Sequence, residues 1–409
     1  MSTTSEGLAS WARSGAMYLT GRPERPLGPP AGLCDGLAQL ERDLGSLLGD
    51  QGAEGGVDPL QTVVDRAAIA GLTRHGDLSC GGRTRLLPSR DGWIAASLAR
   101  DEDVASVPAW LELDACSSVL PQLFDEISGR VASLHTDELV ARARLLGLPV
   151  AGLGSVLAPG KRWADSVIET SFDSPRDSAA NEHPLVVDLS ALWAGPLCSA
   201  VLQLAGARVI KVESESRPDG ARRGPQGVFD LLNGGKESLR LDFARDTDIE
   251  LLRRLLLAAD IVVEASRPRA LEQLDIFANE IAAASSTVWV SITGYGRTDP
   301  QRDWVAFGDD AAVAGGLVVS DEDGPCFCAD AMADPLTGLV AAAAALKALR
   351  KANSAVLDIP MARVAAAFAG PTLVVPDDLE PHQPLAAAQP SRATQLGADS
   401  EAIRREFAA

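Results

Sequence analysis

The sequence predicts an α/β protein, a mostly parallel sheet domain with a smaller α+β domain beside it. Three observations carry this. Over residues 184–296, short apolar runs alternate with helical patterns, and strands separated by helices of about 10–15 residues imply βαβ units. The chain has 409 residues, more than one average hydrophobic core spans. A polar stretch without periodicity, SFDSPRDSAANEH, reads as a linker. The expected division is therefore residues 1–170, a linker at 171–183, and a sheet domain at 184–409.

Taken in order, residues 1–60 carry many Gly and Pro and show no regular element. VDPLQTVVDRAAIAGLTR reads as a helix, DGWIAASLA as a strand after a turn, and DELVARARLLGLPVAG as a helix running into a short strand. In the second half PLVVDLSALWAG opens with a strand, residues 195–206 form a small-residue helix, and ARVIKVE is the next strand. SLRLDF alternates with period two. DTDIELLRRLLLAAD is a helix with Asp246 or Thr247 as N-cap. IVVEA is a strand, RALEQLDIFANEIAAAS is helical, and TVWVSITGYG closes the set. LTGLVAAAAALKALRK is a strong helix former, with Asp334 and Pro335 placed as N-cap and first helical residue. LDIPMARVAAAFAG supplies a further strand and helix, and the Pro-rich tail is loose until SEAIRREF. An internal echo links the segment from Ser14 to the one from Ala314. Each runs from small residues through a variable loop and a Pro to an Asp-led helix.

Composition narrows the function. Hydrophobic residues are 46% and charged residues 23%, ordinary for a globular protein. No apolar run approaches the ~18 residues that cross a bilayer, and the first residues lack a basic segment followed by an apolar one, so no secretory leader is expected. Six cysteines without CxxC spacing fit reduced thiols and a cytoplasmic location. The formal charge of −19, from 56 acidic and 37 basic side chains, argues against nucleic acid, which requires a basic footprint.

Several motifs are missing. No GxGxxG follows a strand, the Gly-Lys pair in GGKES lacks Walker spacing, and no GxSxG elbow occurs. The four histidines are dispersed, and Cys326 and Cys328 have no second ligand pair, so no metal is expected.

What is present is VVDLSALWAGPLCSAVLQLAGARVIKVE at residues 186–213, followed in order by LNGGKESLRLD, ADIVVEASRP, SITGYGRTDP and ADPLTGL. These segments resemble the class III CoA-transferases, the formyl-CoA and carnitine CoA-transferase type, over residues 185–350. The resemblance implies a Rossmann-like sheet domain, an acyl-CoA and a carboxylic acid as partners, and a homodimer. It implies no cofactor beyond the coenzyme A thioester that serves as substrate. DGWIAASLARDEDVASVPAWLE and LLGLPVAG resemble that family's small domain, which ordinarily follows the catalytic helix, so the order is altered here.

Asp334, with Gly338 four residues on, matches the family's nucleophile, a carboxylate that takes an acyl group from sulfur. Its alternative role is a helix cap, and Asp330 is the weaker competitor. Twelve basic residues lie between Arg208 and Arg269, and none between Asp303 and Leu346. That split suits a site with a nucleotide end and an acyl end. Lys236, on the NGGK turn where the family places a CoA-contacting lysine, Arg267 and Lys211 are the candidate coenzyme A contacts. Ser214, Ala265 and Trp193 depart from the family's usual Arg, Asn and Gln. Two other readings stand beside the transferase. An α-methylacyl-CoA racemase would need a histidine where this chain has Phe307, with Asp309 and Asp310 as displaced carboxylates. A non-catalytic coenzyme A-binding member would have kept the fold and lost the reaction.

Overall fold

The computed structural model describes residues 3–49, 56–160, 162–175, 183–351, 353–387 and 391–407. The N-terminal region begins with α1 (Thr3–Ser14), a two-residue-per-strand hairpin of β1 (Gly21–Arg22) and β2 (Arg25–Pro26), then α2 (Ala31–Leu48) and α3 (Pro59–Ala70). Residues 1–60 thus hold two helices that their Gly and Pro content conceals. In α2 the buried set Leu33, Leu37, Leu40, Leu44 and Leu48 follows helical spacing. Gly32 and Gly36 let the helix approach residues 368–369, because a Cβ at Gly32 would meet the Ala369 carbonyl oxygen at 2.3 Å. In α3, Asp58 caps the Leu60 and Gln61 amides and Gly71 ends the helix in the left-handed region.

Next come β3 (Thr84–Pro88), β4 (Trp93–Ser97), α4 (Asp101–Leu111), α5 (Leu120–Ala132), α6 (Thr136–Leu145) and β5 (Val150–Gly152). The strands pair antiparallel in the order β3-β4-β5. Trp110, Phe124, Ile127 and Leu139 bury the three helices against that sheet in a core of their own, each such side chain contributing roughly 1.5–3 kcal/mol.

The second half holds β6 (Ile168–Pro175), β7 (Leu185–Asp188), α7 (Ala194–Leu204), β8 (Arg208–Ser214), α8 (Gln226–Asn233), β9 (Glu237–Leu241) and α9 (Asp246–Ala258). It continues with β10 (Ile261–Glu264), α10 (Arg269–Glu272), α11 (Ala278–Ala284), β11 (Val288–Thr293), α12 (Gly308–Ala314), β12 (Val318–Asp321) and β13 (Gly324–Phe327). Then come α13 (Ala333–Leu349), β14 (Asn353–Pro360), α14 (Met361–Phe368) and α15 (Ser400–Glu406). The main sheet has seven strands in the order β6-β14-β11-β10-β7-β8-β9, all parallel but for the antiparallel edge strand β6. From β9 to β14 this is the doubly wound order, with the chain reversing direction across the sheet between β7 and β10. Ligands of such folds bind outside the carboxyl ends of the strands at that point.

Three local expectations need correction. Residues 171–175, read as aperiodic, lie in β6 and pair with β14; residues 176–182 fall outside the described residues. The stretch read as a single helix is two, α10 and α11, broken at Asp275, whose φ is 56°. Neither Asp246 nor Thr247 is the N-cap of α9. Arg245 takes that place, and Asp248 turns back to accept from the Asp242 amide at 2.8 Å.

Almost every residue of α13 is buried, so it is a central helix rather than an amphipathic one. Its small side chains permit close contact: a Cβ at Gly338 would meet the Ala194 carbonyl oxygen at 2.6 Å. One continuous apolar cluster runs from Trp11 through α2 and α3 to α13, β14 and Phe368. The echoed segments both fold as a hairpin followed by a long helix, β1-β2-α2 and β12-β13-α13, and the two helices pack on each other. Aligned on Gly36 and Gly338, the N-terminal helix carries Gly32 where the other carries Asp334.

Candidate functional site

Asp334 is the second residue of α13, not its cap; Met332 precedes the helix in helical conformation, and Pro335 is third. The helix starts earlier because Ala329 and Ala331 take left-handed φ values of 52° and 42°, turning the chain sharply just ahead of it. Such conformations in residues bearing a Cβ are costly and concentrate at functional sites. Asp334 is partly exposed, and its carboxylate lies against Gly308. A Cβ at Gly308 would come within 2.3 Å of Asp334 Oδ2.

Around it gather Asp309, Asp310 and Asp330, from the stretch that has no Lys or Arg. The cation comes from the other half of the chain. Arg66 of α3 grips Asp330 with two hydrogen bonds, one of them 2.7 Å from Nε to Oδ2. Its guanidinium carbon sits 4.9 Å from the centre of the Trp193 ring, a favourable cation–π distance. Thr84 Oγ1 of β3 donates to Asp309 Oδ2 at 3.0 Å, and the Ala331 amide donates to Asp309 Oδ1 at 3.1 Å. Ser97 Oγ of β4 donates to Asp310 Oδ1 at 2.9 Å, as does the Phe307 amide. Asp310 Oδ2 is buried without a partner.

Burial sets the protonation here. It pushes Asp334 up to about 7, opposed by Arg66 and the Gly308 amide and assisted by Asp309 and Asp330. It pushes Asp309 to about 6, with Asp330 adding to the rise and Arg66, Thr84 and Ser79 opposing it. Asp310 reaches about 7, again chiefly from burial. Asp309, Asp310 and Asp334 are thus all held up toward neutrality by burial.

The structure places the other candidates in two groups. Lys236 is buried, its Nζ donating to Asp188 Oδ2 at 3.1 Å, to Ser199 Oγ at 2.7 Å and to the Pro196 carbonyl at 2.9 Å. Burial lowers its pKa to about 8, against the pull of Asp188. Burial alone would raise Asp188, but Lys236, Lys211 and the Ser190 and Ser199 hydroxyls hold it well below the carboxylate range. Lys211 is also buried, 3.0 Å from Asp219 and donating to the Ser190 carbonyl at 3.0 Å. Both lysines therefore brace the turn between β7 and α7 from within. Arg267 is exposed just beyond β10. Partial burial lowers its pKa, and the nearby charges of Arg269, Arg100 and Arg217 lower it further. These arginines concentrate positive charge beside the switch point, and Arg100 lies 5.7 Å over the ring of Phe307.

Arg66, Thr84 and Ser97 escaped the sequence reading because no local motif marks them. A signal was available in the 44 residues from Asp303 to Leu346, which hold several acids and no base and so require a cation from elsewhere.

The profile of CoA-transferase family III matches residues 184–396, more than half of the chain. The chain belongs to that family. Among curated proteins it is 31% identical over 183 residues to an acyl-CoA transferase of Fusarium pseudograminearum, covering 40% of each. It is 33% identical over 182 residues to the (R)-2-hydroxy-4-methylpentanoate CoA-transferase of Clostridioides difficile, covering 41% of this chain and 45% of that one. The chain thus spans less than half the length of these relatives. The crystal structure of a CAIB/BAIF family protein from Brucella suis aligns with a TM-score of 0.43 at 27% identity, over 47% of this chain and 55% of that chain. No helix among the described residues is long and apolar enough to cross a membrane.

Proposed function

We propose that this chain moves coenzyme A from an acyl-CoA to a carboxylic acid through the Asp334 carboxylate. The observation that carries the reading is the position of that carboxylate, partly exposed in the first turn of α13, with Arg66 as the cation of its cluster. Family membership supports the same chemistry.

In this reading the ionised Asp334 attacks the thioester carbonyl, and the C–S bond breaks to give a mixed anhydride and the coenzyme A thiolate. The thiolate attacks the aspartyl carbonyl, releasing the first acid and leaving an aspartyl thioester. The incoming carboxylate attacks that thioester, forming a second anhydride and freeing the thiolate again. Attack of the thiolate on the acyl carbonyl then gives the new acyl-CoA and restores Asp334. The Gly308 amide and the Arg66 guanidinium meet the developing negative charge.

Arg267, Arg217 and Arg100 supply the positive field for the phosphates against the net charge of the chain. Lys211 and Lys236 serve coenzyme A by fixing the turn its body would cross. A homodimer in the cytoplasm completes the reading. α-Proton transfer is a second reading, favoured by Asp309 and Asp334 both titrating near neutrality.

Incubation with a panel of acyl-CoAs and hydroxylamine tests the choice. A hydroxamate on Asp334, read by mass spectrometry and absent in Asp334→Ala, is the expected result. Coenzyme A exchange that survives Asp334→Ala overturns the mechanism, and α-deuterium exchange without coenzyme A transfer selects the second reading.

A further inference from the structure

A cleft lies away from Asp334, between one face of α6 and the carboxyl ends of β11 and β14. Its volume is about 580 Å³, within the range of small-molecule sites. None of the residues around Asp334 lines it.

Its main polar feature is a guanidinium stacked on an indole. Arg144 lies flat on Trp304, with the guanidinium carbon 3.4 Å from the ring centre, and Tyr295 meets the same ring edge-on, 5.4 Å between centroids. Among the described residues Arg144 makes no ion pair; the one carboxylate lining the cleft, Asp137, is exposed. The Tyr295 hydroxyl has no hydrogen-bond partner among the described residues and is closed off from the cleft. Across the cleft, Arg363 donates from one terminal nitrogen to the Asp165 carbonyl at 3.0 Å, while its Nε is buried with no partner.

A half-buried guanidinium without an ion-pair partner calls for an anionic acceptor, and a carboxylate meets that demand by accepting from the guanidinium in bidentate geometry. The rest of the wall is apolar, with Val140, Val156 and Ala362, so the acid must carry an aliphatic body. Stacking on Trp304 holds the Arg144 fork in one plane, which reduces the ordering cost of binding.

We propose that this cleft binds a small aliphatic carboxylic acid at a site separate from Asp334, its carboxylate on Arg144 and its chain against Val140, Val156 and Ala362. The proposal does not depend on the reading of Asp334.

Hexanoate is the probe, titrated into the full chain by calorimetry and by Trp fluorescence, with hexanamide as its uncharged counterpart. Saturable hexanoate binding is expected in the wild type and equally in Asp334→Ala. Affinity should fall about ten-fold or more in Arg144→Gln, with circular dichroism confirming the fold. Hexanamide should bind about ten-fold more weakly than hexanoate. Three results overturn the proposal: hexanoate binding that survives Arg144→Gln unchanged, binding lost in Asp334→Ala alone, or hexanamide binding as tightly as hexanoate. Because Asp334→Ala is an arm of the experiment, failure of this site and failure of the catalytic reading give different patterns.

Discussion

The two halves of the chain contribute different kinds of information to one site. Residues 185–368 supply the frame: a parallel sheet, its reversal between β7 and β10, and a central helix that presents Asp334. Residues 3–152 supply what sets the charge state of that frame, with Arg66 on Asp330, Thr84 on Asp309 and Ser97 on Asp310. Regular secondary structure places the candidate carboxylate, but polar groups brought from distant sequence determine its ionisation. A carboxylate in a cluster without Arg66 would sit at the same place and stay protonated at neutral pH.

The largest expected effect comes from removing that cation. Arg66→Gln leaves Asp330, which is 1% exposed, without its bidentate partner, and breaking a buried pair typically costs about 3–5 kcal/mol. Urea unfolding should show a loss of that order. Because Arg66 holds Asp334 down against burial, its loss raises that pKa further. On the proposed mechanism the acid limb of the rate profile, expected near pH 7 because Asp334 is pushed up to about 7, should then move to higher pH. Activity at pH 7 should fall about ten-fold for each pH unit the limb moves. A limb that stays in place in a folded variant would make the N-terminal half a scaffold only and erase the contrast drawn above.

The same contrast describes how much could be read in advance. The parallel strands β7 to β11 were legible because short apolar runs between helical patterns leave little choice, and each begins within a residue of expectation; β6, read as linker, and the hairpin β12-β13 were not, and β14 begins at Asn353, ahead of the LDIP that marked it. The nucleophile candidate was legible from five ordered motifs, but its place in the helix was not. Nothing in ADAMADPL announces that Ala329 and Ala331 will adopt left-handed conformations and that the helix will start two residues early, at Ala333. In the first half, glycines that signal loops by composition sit inside α2 for close packing against residues 368–369, so tertiary contact overrode local propensity. Lys236 lies on its turn, but its four-carbon stem reaches inward to Asp188, and the direction of a long side chain is not written in spacing. Arg66, in contact with α13 only through folding, was beyond any local pattern.

A middle-sized effect sharpens the comparison through stability. Asp310 is fully buried, with a folded pKa raised to about 7 from 3.8. A raised carboxyl binds its proton more tightly when folded than when unfolded. Its contribution is therefore fully present below the unfolded value and is lost as pH rises through the folded one. The wild type should grow less stable between about pH 4 and 7 on this account. Asp310→Asn keeps an acceptor for Ser97 and the Phe307 amide but carries no charge, so it should flatten that slope and gain roughly 1–3 kcal/mol at pH 8. Thermal melts from pH 5 to 8 decide it; parallel wild-type and variant curves would show that Asp310 is ionised in the fold.

The smallest effect has the opposite sign to that of Arg66, which makes it the finest test of the N-terminal half. Thr84→Val keeps the shape of the side chain and removes the hydroxyl that donates to Asp309 Oδ2 at 3.0 Å. Ionised Asp309 then loses support worth about 1 kcal/mol and stays protonated to higher pH. A neutral Asp309 no longer repels the charge on Asp334, so the pKa of Asp334 falls. The acid limb should move by a few tenths of a pH unit toward lower pH, away from the direction produced by Arg66→Gln. Opposite displacements from two residues of the same region, with unchanged affinity for acyl-CoA, show that region acting on the nucleophile through charge. Displacements of the same sign would mean that both substitutions merely loosen the packing around α13.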